Sequence, residues 1–554
     1  MKFARLLKRP LPILIVIYLT YSLILAFFSH SGFPQAMSVD SIMPYLADKP
    51  VGEDAFYILT VAWNLADKYT ISYNYDQLTT GIQPLVTFIY AIFAWVVQLL
   101  GGDKWIFIRI VIIYNVFILL TLAHVLGSIA KNLIPNDENE KYQVYFLTFI
   151  ITIFNFGLFS LVTYGLETGT YLLFIATSCW YTLRFTNNRK LALREAIVFG
   201  TLTGLTGLLR IDFGIILLGF LICLTLHQRL TVRIRWGLLV GFTAFFIVLP
   251  WFIWVYYVTG QVMPSSGLTE TRLINLADLS GRFRIVLKEI ISLLTLNLII
   301  DLIIAERLRI LVAFAFFLTF FISFFFFRKN HYFRSLLILD SRKKQYIFYW
   351  VLALVPLILI YPVFFHSTWF YKRYFSPLLI VYLPILAIAL HRLLQNKPKR
   401  FRVVSLLIFI LFFFIGAILS FHIGRISNTQ AVAAGFAKEH FPPCFKIGAF
   451  QSGVLGFFNN NVINLDGKIN YDIHKLAKKK EALTTYLDRE NIDVFIDESF
   501  YIYHSFLSPE ANKANNKANF VADWKPYPQK IPAGITGCYV RRQTHNCRNS
   551  PKYH

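Results

Sequence analysis

Long, unbroken apolar runs dominate the chain. They lie near 11–28, 106–130, 143–163, 169–184, 193–209, 212–227, 236–256, 309–327, 346–365, 375–390 and 403–421. Most approach the roughly 20 residues with which an α-helix crosses a bilayer core. Their continuity excludes a transmembrane barrel, whose strands alternate, and leaves a polytopic helical protein. Two further runs, 85–101 and 286–305, are ambiguous. The second carries Lys288, Glu289 and Asp301 and suits a helix lying in the membrane interface. From about Ser427 the pattern changes to mixed polar sequence, with strand-like runs at 446–450 and 493–496 and a helical stretch at 475–488. A soluble α/β domain of ordinary size is expected there, followed by a disordered tail at 545–554.

The expected fold is a polytopic α-helical membrane protein of about 11–13 helices with a C-terminal soluble α/β domain. Residues 1–426 form the membrane part, 29–101 its first outer loop with juxtamembrane helices, and 427–554 the extracytoplasmic domain.

Composition agrees with this reading. Of 554 residues, 15% are charged, against about 25% in soluble domains. The net charge of +24 could indicate nucleic acid. Its distribution points elsewhere, because the basic residues cluster in short connectors at 184–194, 229–235, 328–344 and 392–402. Such connectors face the cytoplasm, and no nucleic-acid partner is expected. The region 29–84 instead carries Asp40, Asp48, Glu53, Asp54, Asp67 and Asp76 against Lys49 and Lys68, and should lie outside. These assignments agree only if 85–101 does not change sides. The N-terminus is then cytoplasmic, its first run a retained anchor behind Lys2, Arg5, Lys8 and Arg9. Cys179 and Cys223 fall in apolar runs. Of Cys444, Cys538 and Cys547 in the polar region, one disulfide is expected, joining Cys444 to Cys538 or Cys547.

Chemistry concentrates on the outer side. Glu53-Asp54 opens a helix-like run. An outer carboxylate can serve as a general base for a hydroxyl, or the pair can simply favour a helix N-terminus. Adjacent residues do not share a helix face, so one of the two acts, with Asp54 preferred. Tyr73, Asn74, Thr80 and Gln83 form either a polar cavity rim or a plain turn into a helix at Pro84. Glu167, in Tyr-Gly-Leu-Glu-Thr, is a second outer acid, either sharing a site with Asp54 or simply favouring a helix N-terminus. A divalent cation (Mg, Mn or Ca) shared by Asp54 and Glu167 is left open. Arg210 either pairs with Asp212 or holds an anionic head group. Lys372 and Arg373 break the positive-inside trend; either a donor phosphate compensates them, or a lipid phosphate or nearby acid does.

In this order the segments resemble the GT-C superfamily of polytopic glycosyltransferases. The likeness is to bacterial arabinofuranosyl- and mannosyltransferases that use polyprenyl-phosphate sugars. It rests on EDAFYILTVAWNLADKYTISYN with TTGIQPL, on YGLET, on WVYYVTGQVMPSS, and on FKIGAFQSGVLGFFNNNVINLDGKIN with its Asp466, Gly467 and Asn470 element. The departures are Glu53 where the family usually has Asp, Ser265 where it usually has Asn, and Arg210-Ile211-Asp212 where it has Arg-Pro-Asp/Glu.

The resemblance implies a glycosyltransferase of the bacterial inner membrane that takes a sugar from a polyprenyl-phosphate donor, with inversion. The acceptor would be an extracytoplasmic glycan, lipid or protein. Asp54, or Glu53, would be the base, and Glu167 would orient the acceptor or, with Asp54, hold a divalent metal. Lys372, Arg373 and Arg210 would stabilise the leaving phosphate. The alternative is a transporter or flippase of lipid-linked sugars, which needs no outer base. An inverted repeat would favour it, and none is evident.

Overall fold

The computed structural model describes residues 10–28, 42–46, 49–74, 77–134, 137–183, 192–225, 229–270, 276–294, 341–365, 367–395, parts of 398–414, 428–479, 481–507, 516–528 and 537–542. The expected span at 309–327 lies outside them, as do most of 403–421 and the connectors 184–191 and 328–340.

The first helix, α1 (Pro10–Phe27), and the short α2 (Ile42–Leu46) precede α3 (Glu53–Lys68). Two acids occupy the first turn of α3, and Tyr69 closes it in the left-handed conformation at φ 56°. Pro84 starts α4 (Pro84–Leu99). Helix α5 (Lys104–Leu133) follows, its N-terminus capped by Asp103, which accepts from the Trp105 and Ile106 amides at 3.0 Å. At 30 residues it is about 45 Å long, enough to cross a bilayer.

The expected single span 143–163 is two helices, α6 (Glu138–Ile153) and α7 (Phe156–Thr163), bent by 60°. Asn155 explains the break, since its side chain caps α7 by accepting from the Leu158 amide at 3.1 Å. Next come α8 (Thr168–Leu183), α9 (Leu193–Leu209), α10 (Phe213–Thr225) and α11 (Leu230–Thr259). Helix α9 packs along α11, and α5 packs on α6 and α8. The short α12 (Ser265–Glu270), α13 (Leu276–Leu294), α14 (Ser341–Phe364), α15 (Tyr371–Phe375) and α16 (Leu378–Gln395) complete the membrane part. Among the described residues, α5, α11 and α16 are long and apolar enough to cross a membrane, and the bent α6–α7 pair adds a fourth if counted as one span. Helices α8 and α10, at 16 and 13 residues, fall below the usual spanning range, and α9, at 17, is at its lower edge.

The C-terminal region begins with α17 (Asn428–His440). It builds a five-stranded sheet from β1 (Ile447–Ala449), β2 (Val462–Asn464), β3 (Val494–Asp497), β4 (Trp524–Pro526) and β5 (Gly537–Arg541). The strand order is β2-β1-β3-β5-β4. Strand β1 pairs in parallel with β2 and β3, whereas β5 runs antiparallel to β3 and β4. Helices α18 (Gly453–Phe458), α19 (Tyr471–Lys479), α20 (Leu483–Arg489), α21 (Ser499–Ile502) and α22 (Asn516–Asp523) link the strands. Strands β1, β2 and β3 are buried throughout, as parallel strands require. Cys444 is disulfide-bonded. Cys538 is a buried free thiol, which removes the Cys444–Cys538 pairing.

Both ends of α4 face the C-terminal domain. Beyond its C-terminal end, the Lys104 ammonium donates to the Phe457 carbonyl and the Asn460 side chain. Before its N-terminal end, the Thr79 hydroxyl donates to the Ile469 carbonyl at 2.8 Å. The segments flanking α4 on both sides thus touch the C-terminal domain.

A candidate active site between the membrane helices and the C-terminal domain

The first turn of α3 sits where three segments converge. Gly52 makes this possible. Its amide donates to the Tyr164 carbonyl at 2.9 Å. The Tyr164 ring lies so close that a Cβ at position 52 would fall 1.9 Å from it. The Tyr-Gly-Leu-Glu-Thr segment is thereby held against α3, and Glu167 is brought toward the residues that follow Gly52.

The adjacent acids diverge, as helix geometry demands. Glu53 is buried and accepts from the Val454 amide at 3.1 Å. Burial pushes its carboxyl up to about 8, outweighing the backbone bonds from Val454 and Gly453 that favour ionisation. Glu53 thus clasps the start of α18. Asp54 is half-buried and makes no hydrogen bond or ion pair among the described residues. Burial raises its pKa above the usual carboxylate range, against the pull of Lys468 and then Arg373. Glu270 and Glu167 act in the same sense as burial.

Arg210 is fully engaged. It donates to Asp212 through Nε at 3.1 Å and Nη2 at 3.1 Å, and to Glu167 through Nη1 at 3.0 Å. Its guanidinium lies 4.5 Å from the Tyr374 ring centroid. Of the two expectations for Arg210, the pairing with Asp212 is seen, widened to include Glu167. Arg373, on α15 beside Lys372, differs. Its Nε lies 3.8 Å from Glu167 Oε1 and has no hydrogen-bond partner, and Glu167 Oε2 is equally unpartnered. A buried guanidinium N–H without an acceptor is costly, so Arg373 is the better-placed cation for an anion entering the site.

Two of the four expected rim residues, Tyr73 and Asn74, bond to the C-terminal domain. Tyr73 is fully buried and donates to the Ser452 carbonyl at 2.6 Å. Asn74 donates to the Gly456 carbonyl at 3.0 Å. Thr80 is buried and donates to Ser265 Oγ at 3.2 Å. The reason is polar satisfaction: Tyr73 and Asn74 serve carbonyls that the domain contact would otherwise leave unpaired. Gln83 stands at the N-cap of α4 without a side-chain cap bond. Ser265, where the resembled family usually has Asn, donates to the Lys468 carbonyl at 2.6 Å.

Two site residues escaped the sequence reading. Lys468 Nζ lies 2.7 Å from Glu270 Oε1, and Ser367 donates to the other Glu270 oxygen. Lys468 lies inside the Asp466-Gly467-Asn470 element already singled out, so a cation within it was the available signal. Glu270 follows Met263-Pro264 in a segment that contains no other acid as far as Ala277.

Asp54 and Glu167, the two expected ligands of a divalent cation, belong to no three-residue ligand cluster among the described residues. Glu167 Oε1 is taken by Arg210.

Comparison with known proteins is informative at the level of structure. No protein-family model and no curated protein matches the sequence. ArnT from Cupriavidus metallidurans in the apo state superposes with a TM-score of 0.52 at 11% identity, covering 88% of this chain and 94% of that one. ArnT bound to undecaprenyl phosphate gives 0.50 at 11%, covering 87% and 95%. The Archaeoglobus fulgidus oligosaccharyltransferase, in complex with Zn and sulfate, gives 0.50 at 12%, covering 88% and 68%. Through these likenesses, and the helical membrane part with its C-terminal sheet, the chain is shown to have the GT-C membrane fold.

Proposed function

We propose that the protein is a membrane glycosyltransferase that moves a sugar from a polyprenyl-phosphate donor to an extracytoplasmic glycan, lipid or protein. The observation that carries this reading is Asp54. It is a half-buried carboxylate without a bonding partner among the described residues, facing the cations Lys468 and Arg373. ArnT, which has the same fold, binds undecaprenyl phosphate. A bacterial inner membrane, with the C-terminal domain outside, is the setting this implies.

In this reaction Asp54 takes the proton of the acceptor hydroxyl. The acceptor oxygen attacks the anomeric carbon as the bond from that carbon to the phosphate oxygen breaks, inverting the centre. The electron pair leaves with polyprenyl phosphate. Arg373 and Lys372 on α15 neutralise the charge that develops there. Arg210 acts one step removed, by holding Glu167. Because Asp54 must be ionised to act, its raised pKa places the acid limb of the rate profile above the ordinary carboxylate range.

The flippase alternative differs in one bond. A flippase relocates the lipid-linked sugar intact, whereas transfer liberates polyprenyl phosphate. Purified protein in liposomes with radiolabelled polyprenyl-phosphate sugars should release polyprenyl phosphate in step with acceptor glycosylation. Relocation without release would favour the flippase.

A further inference from the structure

The C-terminal domain delivers a lysine to the edge of the site on a rigid mount. Asp466 accepts from the Lys468 amide at 2.7 Å, shaping the loop between β2 and α19. The Lys468 carbonyl accepts from Ser265 Oγ, and the Gly467 carbonyl accepts from Thr269 Oγ1 at 3.1 Å. Gly81 seats against the same loop, so tightly that a Cβ there would fall 1.9 Å from the Lys468 carbonyl oxygen. The ammonium is fixed in turn by Glu270 at 2.7 Å and by the Phe370 ring, whose centroid is 5.4 Å away.

We propose that Lys468 is a positioning residue for the transfer reaction, a built-in cation that the C-terminal domain mounts beside Arg373: both cations lie against the Phe370 ring, at 5.4 and 4.9 Å, and Arg373 reaches Glu167, whose segment is bonded to Gly52 at the start of the helix that carries Asp54. The proposal rests on the reading of Asp54 as the base. The charged groups that bear on Asp54 come from every neighbouring element: Lys468 from the C-terminal loop, Arg373 from α15, Glu270 from α12 and Glu167 before α8. Asp466 and the adjacent Glu53 also bear on Asp54. Among these, Lys468 favours the ionised carboxylate most strongly. It does what a bridging cation would do between acids whose own arrangement does not suit a metal. It also makes the site depend on docking of the C-terminal domain.

A hydrophobic carbodiimide tests this without a known donor or acceptor. The reagent couples to protonated carboxyls, and mass spectrometry of the full-length protein locates the product residue by residue, separating Asp54 from Glu53. The pH at which Asp54 labelling falls by half is compared in wild type, Lys468→Met and Lys468→Arg. The expected result is a midpoint higher by at least about one pH unit in Lys468→Met, with Lys468→Arg close to wild type. Equal midpoints in wild type and in a Lys468→Met protein that resists limited proteolysis like wild type would overturn the proposal. Loss of transfer in that variant without the midpoint shift would likewise show a merely structural role. Failure of the transferase reading is a separate result: Asp54→Asn would retain transfer whatever the labelling shows.

Discussion

Replacing Arg210 with Met separates a structural cation from a phosphate-binding one. Arg210 faces two carboxylates, with the Glu167 side chain fully buried and those of Arg210 and Asp212 only 9% and 12% exposed. Removing the shared cation strands both acids in surroundings that solvate charge poorly. Breaking a buried ion pair from one side costs about 3–5 kcal/mol. That range is the expected loss here, since two carboxylates lose a partner while some water reaches Asp212. The triple variant Arg210→Met, Glu167→Gln, Asp212→Asn removes the stranded charges and should recover most of the loss. Thermal unfolding of the purified protein in detergent, followed by intrinsic fluorescence, compares the three proteins. The ordering expected is wild type first, the triple variant next, Arg210→Met last. An Arg210→Met protein that melts with wild type yet no longer binds undecaprenyl phosphate would refute the structural assignment and return Arg210 to the phosphate.

Gly81→Ala should loosen the seat of the 466–470 loop, because the obstructing atom is a backbone carbonyl that cannot rotate away. A cost of about 1–3 kcal/mol is expected, read as faster proteolysis of the C-terminal domain and slower transfer. Burial raises Glu53 in the folded protein to about 8, so its contribution to stability is full below its unfolded pKa and is lost as pH rises through the folded value. Glu53→Gln should therefore flatten the fall in melting temperature between those limits, and an unchanged pH dependence would contradict the assignment. Since both ends of α4 meet the C-terminal domain, a cysteine placed at Leu100 in a cysteine-depleted background should react with an impermeant maleimide added outside intact cells. Labelling only after permeabilisation would mean that α4 crosses.

The legible parts of the fold were those set by local pattern. Apolar runs marked the helices, and alternation with turn residues marked the sheet region, where the strand-like run 446–450 contains β1 at Ile447–Ala449. The first turn of α3 was visible because its two acids suit a helix N-terminus. The bend within 143–163 was signalled by Asn155, a capping residue inside an apolar run, and was passed over. What the chain order hid were contacts between distant segments. Tyr73 and Asn74 read as rim residues because their partners, Ser452 and Gly456, lie about 380 positions away. Arg210 was matched to Asp212 two residues on, yet Glu167 came from 43 positions back. Lys468 and Glu270, separated by nearly 200 positions, form a pair that only folding creates.

The central claim is that Asp54 is the base of a glycosyl transfer. Its most direct measurement is transfer from a radiolabelled polyprenyl-phosphate sugar in membranes carrying Asp54→Asn as the sole copy, beside Glu53→Gln. The exchange removes proton affinity while keeping side-chain size, and Asp54 makes no bond among the described residues for it to break. General-base catalysis contributes about 10²–10⁴-fold, so Asp54→Asn should fall by at least about 100-fold, with normal yield and melting temperature. Glu53→Gln should keep most of the activity, since Glu53 clasps α18 instead. Near wild-type turnover in Asp54→Asn, or loss confined to Glu53→Gln, would contradict the account.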